Sequence, residues 1–148
     1  MECRHSLIAD VAVVARGKVL LVRYSDVSNY DDEPGWFLPD DVLKDLEHPS
    51  RAARRIAQEQ LGLELKDIRL DHIQSFRGND GGWHMSFHHL VELPAVPQVT
   101  PPADVAAAEW FPLNELPPRR DVAHDGWALT ILKKMALPPA SEVTEASP

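Results

Sequence analysis

Pro49 and Gly62 bracket a run, Arg51-Ala-Ala-Arg-Arg-Ile-Ala-Gln-Glu-Gln-Leu61, made almost wholly of good helix formers. Proline is tolerated in a first helical turn, where its missing N–H has no partner to lose. Glycine suits the residue just past the last turn. A helix over 49–61 is therefore predicted, and it constrains everything around it. Before it stand an apolar entry, Gly35-Trp-Phe-Leu-Pro39, and an acidic loop holding Asp40, Asp41, Asp45 and Glu47. Residues three and four apart share a helix face, so Ile56, Glu59 and Gln60 are expected to point the same way. Arg55, four residues before Glu59, is placed to hold its carboxylate.

The remaining elements alternate around this helix. Ser6 to Ala15, an Arg-Gly turn and Lys18 to Tyr24 read as a hairpin. The second run, Lys-Val-Leu-Leu-Val-Arg-Tyr, has the apolar continuity of a strand covered on both faces. Ser25 to Pro34 is polar and turn-rich, an exposed loop beside the acidic segment. Ile68 to Phe76 and Trp83 to Leu93 form a second hairpin around a glycine-rich turn. Pro94 to Ala107 reads as irregular and Glu109 to Pro112 as a short strand. Asp121 to Leu137 reads as a closing amphipathic helix. Strands interleaved with two helices predict an α+β domain layered as an α/β/α sandwich, with a mixed sheet between the helices. One domain over 1–137 is expected, with 138–148 a disordered tail of polar and proline residues.

Composition excludes several classes. Net charge is −8 over 148 residues, which disfavours a nucleic-acid polymer or a membrane surface as partner. The one cysteine, Cys3, rules out an internal disulfide framework and suits a reducing cytoplasm. The apolar stretch Leu7 to Ala15 is short and interrupted by Asp10, so it reads as neither signal peptide nor membrane span.

The spacing across the loop and helix resembles the Nudix box: glycine, five residues, glutamate, seven residues, Arg-Glu, an aliphatic, any residue, Glu-Glu, any residue, glycine, aliphatic. With the last glycine on Gly62, Glu47 falls on the first glutamate, Arg55 on the arginine, Glu59 on the first paired glutamate and Leu63 on the final aliphatic. The register needs no gap. Asp41 replaces the first glycine, Ile56 the glutamate after the arginine, and Gln60 the second paired glutamate. The run from Glu109 through Leu116-Pro117 also resembles the family's segment before its last helix, so the likeness spans roughly Ser6 to Leu137.

The resemblance implies a Nudix-like fold and Mg²⁺, or Mn²⁺ in its place, held by carboxylates while water attacks a diphosphate. Mg²⁺ requires oxygen ligands and neutralises phosphate charge. Here one carboxylate (Glu59) remains beside one amide (Gln60) and one side chain without oxygen (Ile56). The implied activity is thus weakened hydrolysis of a nucleoside-diphosphate-linked or related diphosphate. The alternative is binding of a nucleotide or sugar phosphate without hydrolysis, and a third reading is a purely structural domain.

Each candidate has an ordinary reading beside its functional one. Glu59 is the first choice of metal ligand, against a solvated glutamate paired with Arg55. Gln60 can lend an amide oxygen, but a surface glutamine is preferred. Ile56 is expected to pack against the loop. Asp40 can supply its backbone carbonyl to a metal, and Asp40 or Asp41 a carboxylate, against an Asp-rich turn capping its own backbone. Glu47 and Arg55 read as scaffold of the catalytic loop. Alternate residues of a strand share a face, so His84, Ser86 and His88 lie together and His89 opposite. His84 and His88 are candidate ligand contacts, and Arg77 a candidate phosphate contact. Arg119 and Arg120 are further cations, read as solvated. Asp104 precedes Glu109 at the spacing of an accessory acidic residue in some Nudix enzymes. A homodimer is the expected assembly.

Overall fold

In the computed structural model, residues 5–28, 30–78 and 80–137 are described. The chain opens with strands β1 (His5–Ala15) and β2 (Lys18–Tyr24). Arg16 and Gly17, both at positive φ, join them in the two-residue turn that suits a twisted hairpin. The strands pair only next to this turn, at Val14–Val19 and Ala15–Lys18, and then part. The segment from Trp36 to Val42 enters the gap. Phe37 exchanges two hydrogen bonds with Val22 (2.8 and 2.9 Å), and the Val11 N–H donates to the Pro39 carbonyl. The gap closes with strand β3 (Asp40–Val42), antiparallel to β1, where an acidic loop was expected. Asp40 and Asp41 thus have their backbone fixed by β1 at the point where the chain turns toward the helix.

Helix α1 (Pro49–Leu61) has the predicted ends. Gly62 is left-handed (φ 69°), and its N–H bonds back to Ala57 and Gln58. The N-cap is His48, whose ring nitrogen accepts from the Ser50 N–H. The second hairpin, β4 (Arg69–Arg77) and β5 (Trp83–Leu93), follows as expected. Strand β5 runs parallel to β1 along its whole length, so the sheet is mixed, in the order β4-β5-β1-β2-β6, with β3 on β1. Strand β6 spans Val105–Pro112 and pairs with β2, beginning earlier than the sequence suggested. Its Ala-Ala-Ala stretch carries little strand propensity, and the open edge of β2 supplies the partner.

The last element departs most. Helix α2 (Ala123–Lys134) contains His124, Asp125 and Gly126 in left-handed conformation (φ 54°, 53° and 84°), so regular right-handed helix starts at Trp127. The entry is pinned from outside. Trp36 bridges Val122, and the Trp36 N–H donates to the Asp121 carbonyl. The two faces of β1 bury different layers: Ala9, Val11 and Val13 pack with Ala52, Ala53 and Ile56 of α1. Ala12 and Val14 pack with Ala128, Ile131 and Leu132 of α2. That double coverage explains the continuous apolar runs and confirms the α/β/α layering. No helix among the described residues is long and apolar enough to cross a membrane. The tail expected over 138–148 lies outside the described residues.

Candidate functional site

Arg55 organises the junction of loop and helix. Its Nε and Nη2 donate to the two Glu47 carboxylate oxygens at 2.9 and 3.1 Å, a two-pronged pair. Its Nη1 donates to Asp41 (2.9 Å) and Glu59 (3.0 Å), and Nη2 also to the Val42 carbonyl. The Glu47 carboxylate, almost fully covered, is held below its usual range by the Arg55 hydrogen bonds. The Arg55 guanidinium is held charged, chiefly by Glu47. Glu47 thus ties the loop to the helix through Arg55, and Asp41 belongs to the same cluster.

Ile56, Glu59 and Gln60 do not share surroundings. Glu59 is 54% exposed, whereas Ile56 is fully buried and Gln60 only 7% exposed. Gln60 is therefore not the surface glutamine expected. Its Nε2 donates to the Asp40 carbonyl at 2.9 Å, and its Oε1 accepts from the Tyr24 hydroxyl at 2.8 Å. The same hydroxyl accepts from the Asp40 N–H at 3.1 Å, closing a ring of three residues. The Tyr24 hydroxyl is kept protonated by burial and by the nearby Asp40 carboxyl. Its ring stacks on Tyr30 at 3.8 Å.

A cleft of about 750 Å³ opens beside this ring. Asp40, Asp41, Asp104, Arg77 and His84 line it, with Tyr30, Phe37 and Trp127 as aromatic wall. The structure so brings together five of the candidate residues. His84 bonds Asp80 at 2.9 Å, and Arg77 donates to the Gly81 carbonyl. Burial, reinforced by Asp10, pushes the Asp40 carboxyl well above the usual carboxylate range. Arg119 lines a separate hollow toward α2 and pairs with Asp125.

His88 is not a cleft residue. It is fully buried, with Nδ1 against Asp10 at 2.6 Å and Nε2 against Gln74 at 3.0 Å, leaving no nitrogen for a ligand. A strand buried on both faces gives every side chain a covered environment, so alternation alone does not place a histidine at a surface. Asp10, the buried partner of His88, was not singled out in the sequence. Its signal was its interruption of an apolar strand, since a charge there requires a partner. Burial raises the Asp10 carboxyl against the pull of His88.

The donor set can be set against the divalent ion that the box implies. The inner position does not fit it: Ile56 offers no oxygen, and both ends of the Gln60 amide and the Asp40 carbonyl are engaged with one another or with Tyr24. The rim does fit. Asp41 and Glu59 are partly exposed carboxylates bound to one nitrogen of Arg55. Mg²⁺ is commonly held by one or two carboxylates together with substrate phosphates. Among the described residues no group of three or more His, Cys, Asp and Glu side chains converges to hold a metal alone.

A mixed sheet between helices, opened at one strand junction by an acidic segment that feeds a helix, defines a layered α+β domain with a cleft at that junction. The NUDIX domain family model matches residues 5–130, and the chain belongs to the Nudix family. Solved structures agree in fold. A MutT NUDIX hydrolase from Burkholderia pseudomallei superimposes with a TM-score of 0.71 at 24% identity, covering 90% of this chain and 99% of that one. The NUDIX domain of Shewanella oneidensis NrtR, crystallised with ADP ribose, gives 0.70 at 18% identity, covering 90% and 87%. A bifunctional NMN adenylyltransferase/ADP ribose pyrophosphatase from Francisella tularensis gives 0.69 at 18% identity, and this chain spans 42% of it. Among curated proteins none matches in sequence.

Proposed function

We propose that this chain is a Nudix hydrolase of reduced turnover, acting on a nucleoside-diphosphate-linked or related small diphosphate in the cleft beside Asp40 and Asp41. The observation that supports this most is the convergence of Asp41 and Glu59 on one Arg55 nitrogen, because Asp41 also lines the cleft. In this reading Asp41 and Glu59 hold Mg²⁺ or Mn²⁺ together with the substrate's phosphates. Bound there, the ion would neutralise phosphate charge and lower the pKa of a bound water. Arg77 and His84 supply positive or donor groups in the same cleft, Asp104 stands as an accessory acid, and Tyr30, Phe37 and Trp127 exclude water from the ligand's apolar part. Glu47 fixes Arg55 and so the separation of the two rim carboxylates.

ADP-ribose is the first substrate to test, because one similar structure carries ADP ribose pyrophosphatase in its name and another was crystallised with ADP ribose. Turnover with Mg²⁺ or Mn²⁺ is expected to be slow and to fall by about tenfold or more in Glu59→Gln. Unchanged turnover in that variant would remove the proposed role of the rim. A second reading, ligand binding without hydrolysis, is favoured by the Gln60 amide on the Asp40 carbonyl. Calorimetric binding of ADP-ribose without product, over a panel of diphosphates, would decide for it.

A further inference from the structure

We propose that the Gln60 carboxamide takes the place of a divalent cation at the loop–helix junction, so that the junction is complete without metal, and that Gln60→Glu alone makes it metal-dependent. This stands whether or not the cleft hydrolyses anything. A buried carbonyl oxygen needs a positive partner. The Asp40 carbonyl has one in the Gln60 N–H, at 2.9 Å.

The orientation of the amide is fixed by its surroundings. Turned over, it would set its oxygen against the Asp40 carbonyl, two acceptors with no proton between them. In the observed sense every group both gives and receives: Gln60 donates to Asp40, Asp40 donates to Tyr24 at 3.1 Å, and Tyr24 donates to Gln60 at 2.8 Å. Beside the ring, Ile56 is fully buried and brings apolar surface where a carboxylate would need a counter-charge. The two changes from the box are therefore coupled. An isoleucine at 56 removes the second anionic ligand, and a glutamine at 60 supplies internally the positive end that an ion would have supplied.

A glutamate at 60 reverses this. Its carboxylate would face the Asp40 carbonyl across the same 2.9 Å, acceptor against acceptor, and only a cation or a bound proton relieves the contact. Melting temperatures in EDTA, MgCl₂ and MnCl₂ test the proposal, all in a Glu59→Gln background so that the rim carboxylate pair is out of play. The parent is expected to melt at one temperature in all three. Gln60→Glu is expected to melt several degrees lower in EDTA and to recover saturably with Mn²⁺, while Gln60→Met melts lower and does not recover. Mn²⁺ stabilisation of the parent that Gln60→Met abolishes would show Gln60 to be a metal ligand and overturn the proposal. So would a Gln60→Glu protein indifferent to metal. If Gln60→Glu fails to fold, the parent and Gln60→Met arms still decide.

Discussion

The Arg55 guanidinium serves three carboxylates and a carbonyl from one position, and the cost of losing it follows from how covered each partner is. Glu47 is the least exposed, at 9%, and receives two of the bonds. Arg55→Ala leaves that carboxylate without its cation, which for a covered pair costs about 3 kcal/mol. Glu59 and Asp41 add little, because both are well hydrated. Arg55→Lys keeps the charge but not the planar fork, so its loss is expected to be about half as large. Urea unfolding of the two variants measures both. His89 shows the opposite use of burial. Its Nδ1–H donates to the Asp10 carbonyl at 3.1 Å, and its buried Nε2 makes no hydrogen bond. Burial accordingly lowers the His89 pKa from 6.5. The unfolded chain then binds the proton more readily than the folded one, and the stabilisation present above 6.5 is lost as pH falls through the folded value. The urea midpoint should drop between pH 7.5 and 5.5 in the parent, with a slope up to about 1.4 kcal/mol per pH unit. His89→Phe should flatten that contribution, and an unaltered slope would exclude His89 as its source.

At the scale of elements, backbone strain separates two kinds of positive-φ residue. Gly35, at φ 112°, lies so close to Asp121 that an added Cβ would be 2.8 Å from the Asp121 carbonyl oxygen. Gly35→Ala is therefore expected to cost more than the roughly 1–2 kcal/mol of left-handed strain alone, because it also pushes the cleft loop off α2. Leu46, at φ 61°, has the reverse balance: it is 98% exposed and has nothing to lose. Leu46→Gly should be neutral or stabilising by up to about 1 kcal/mol in a thermal melt, and a loss greater than that would show a hidden contact. The same distinction explains what the sequence disclosed. Helix α1 was legible because Pro49 and Gly62 mark its ends by local chemistry, and the positions of Glu47, Arg55 and Glu59 were legible from the resemblance of their spacing to the Nudix box. The entry to α2 was not, since His124 to Gly126 take their left-handed form from a segment anchored by Trp36 across the fold. Nor was the environment of Gln60. Its partners Tyr24 and Asp40 stand 36 and 20 residues away, and only the parting of β1 from β2 brings them to the helix.

For the whole molecule, the sign of the long-range field bears on how any diphosphate arrives. The chain carries a net charge of −8, and the Asp41 and Asp104 carboxylates face the cleft against Arg77 and His84. An anionic ligand therefore approaches a surface that repels it at distances beyond about one Debye length, roughly 10 Å at 0.1 M salt. In most phosphate-binding proteins added salt weakens binding by screening attraction. Here, with EDTA present, raising NaCl from about 20 to 200 mM should tighten or leave unchanged the binding of ADP-ribose, because repulsion is what is screened. With Mg²⁺ the ligand carries less charge and the rim carboxylates gain a counter-ion, so the affinity should be higher and flatter in salt. Thermal melts read this directly. Ligand at about a hundred times its dissociation constant adds about 2.7 kcal/mol, several degrees for a domain of this size. A shift in EDTA that shrinks steeply with salt would mean that Arg77 and its neighbours dominate the approach, and that the acidic groups of the cleft are too well paired to be felt.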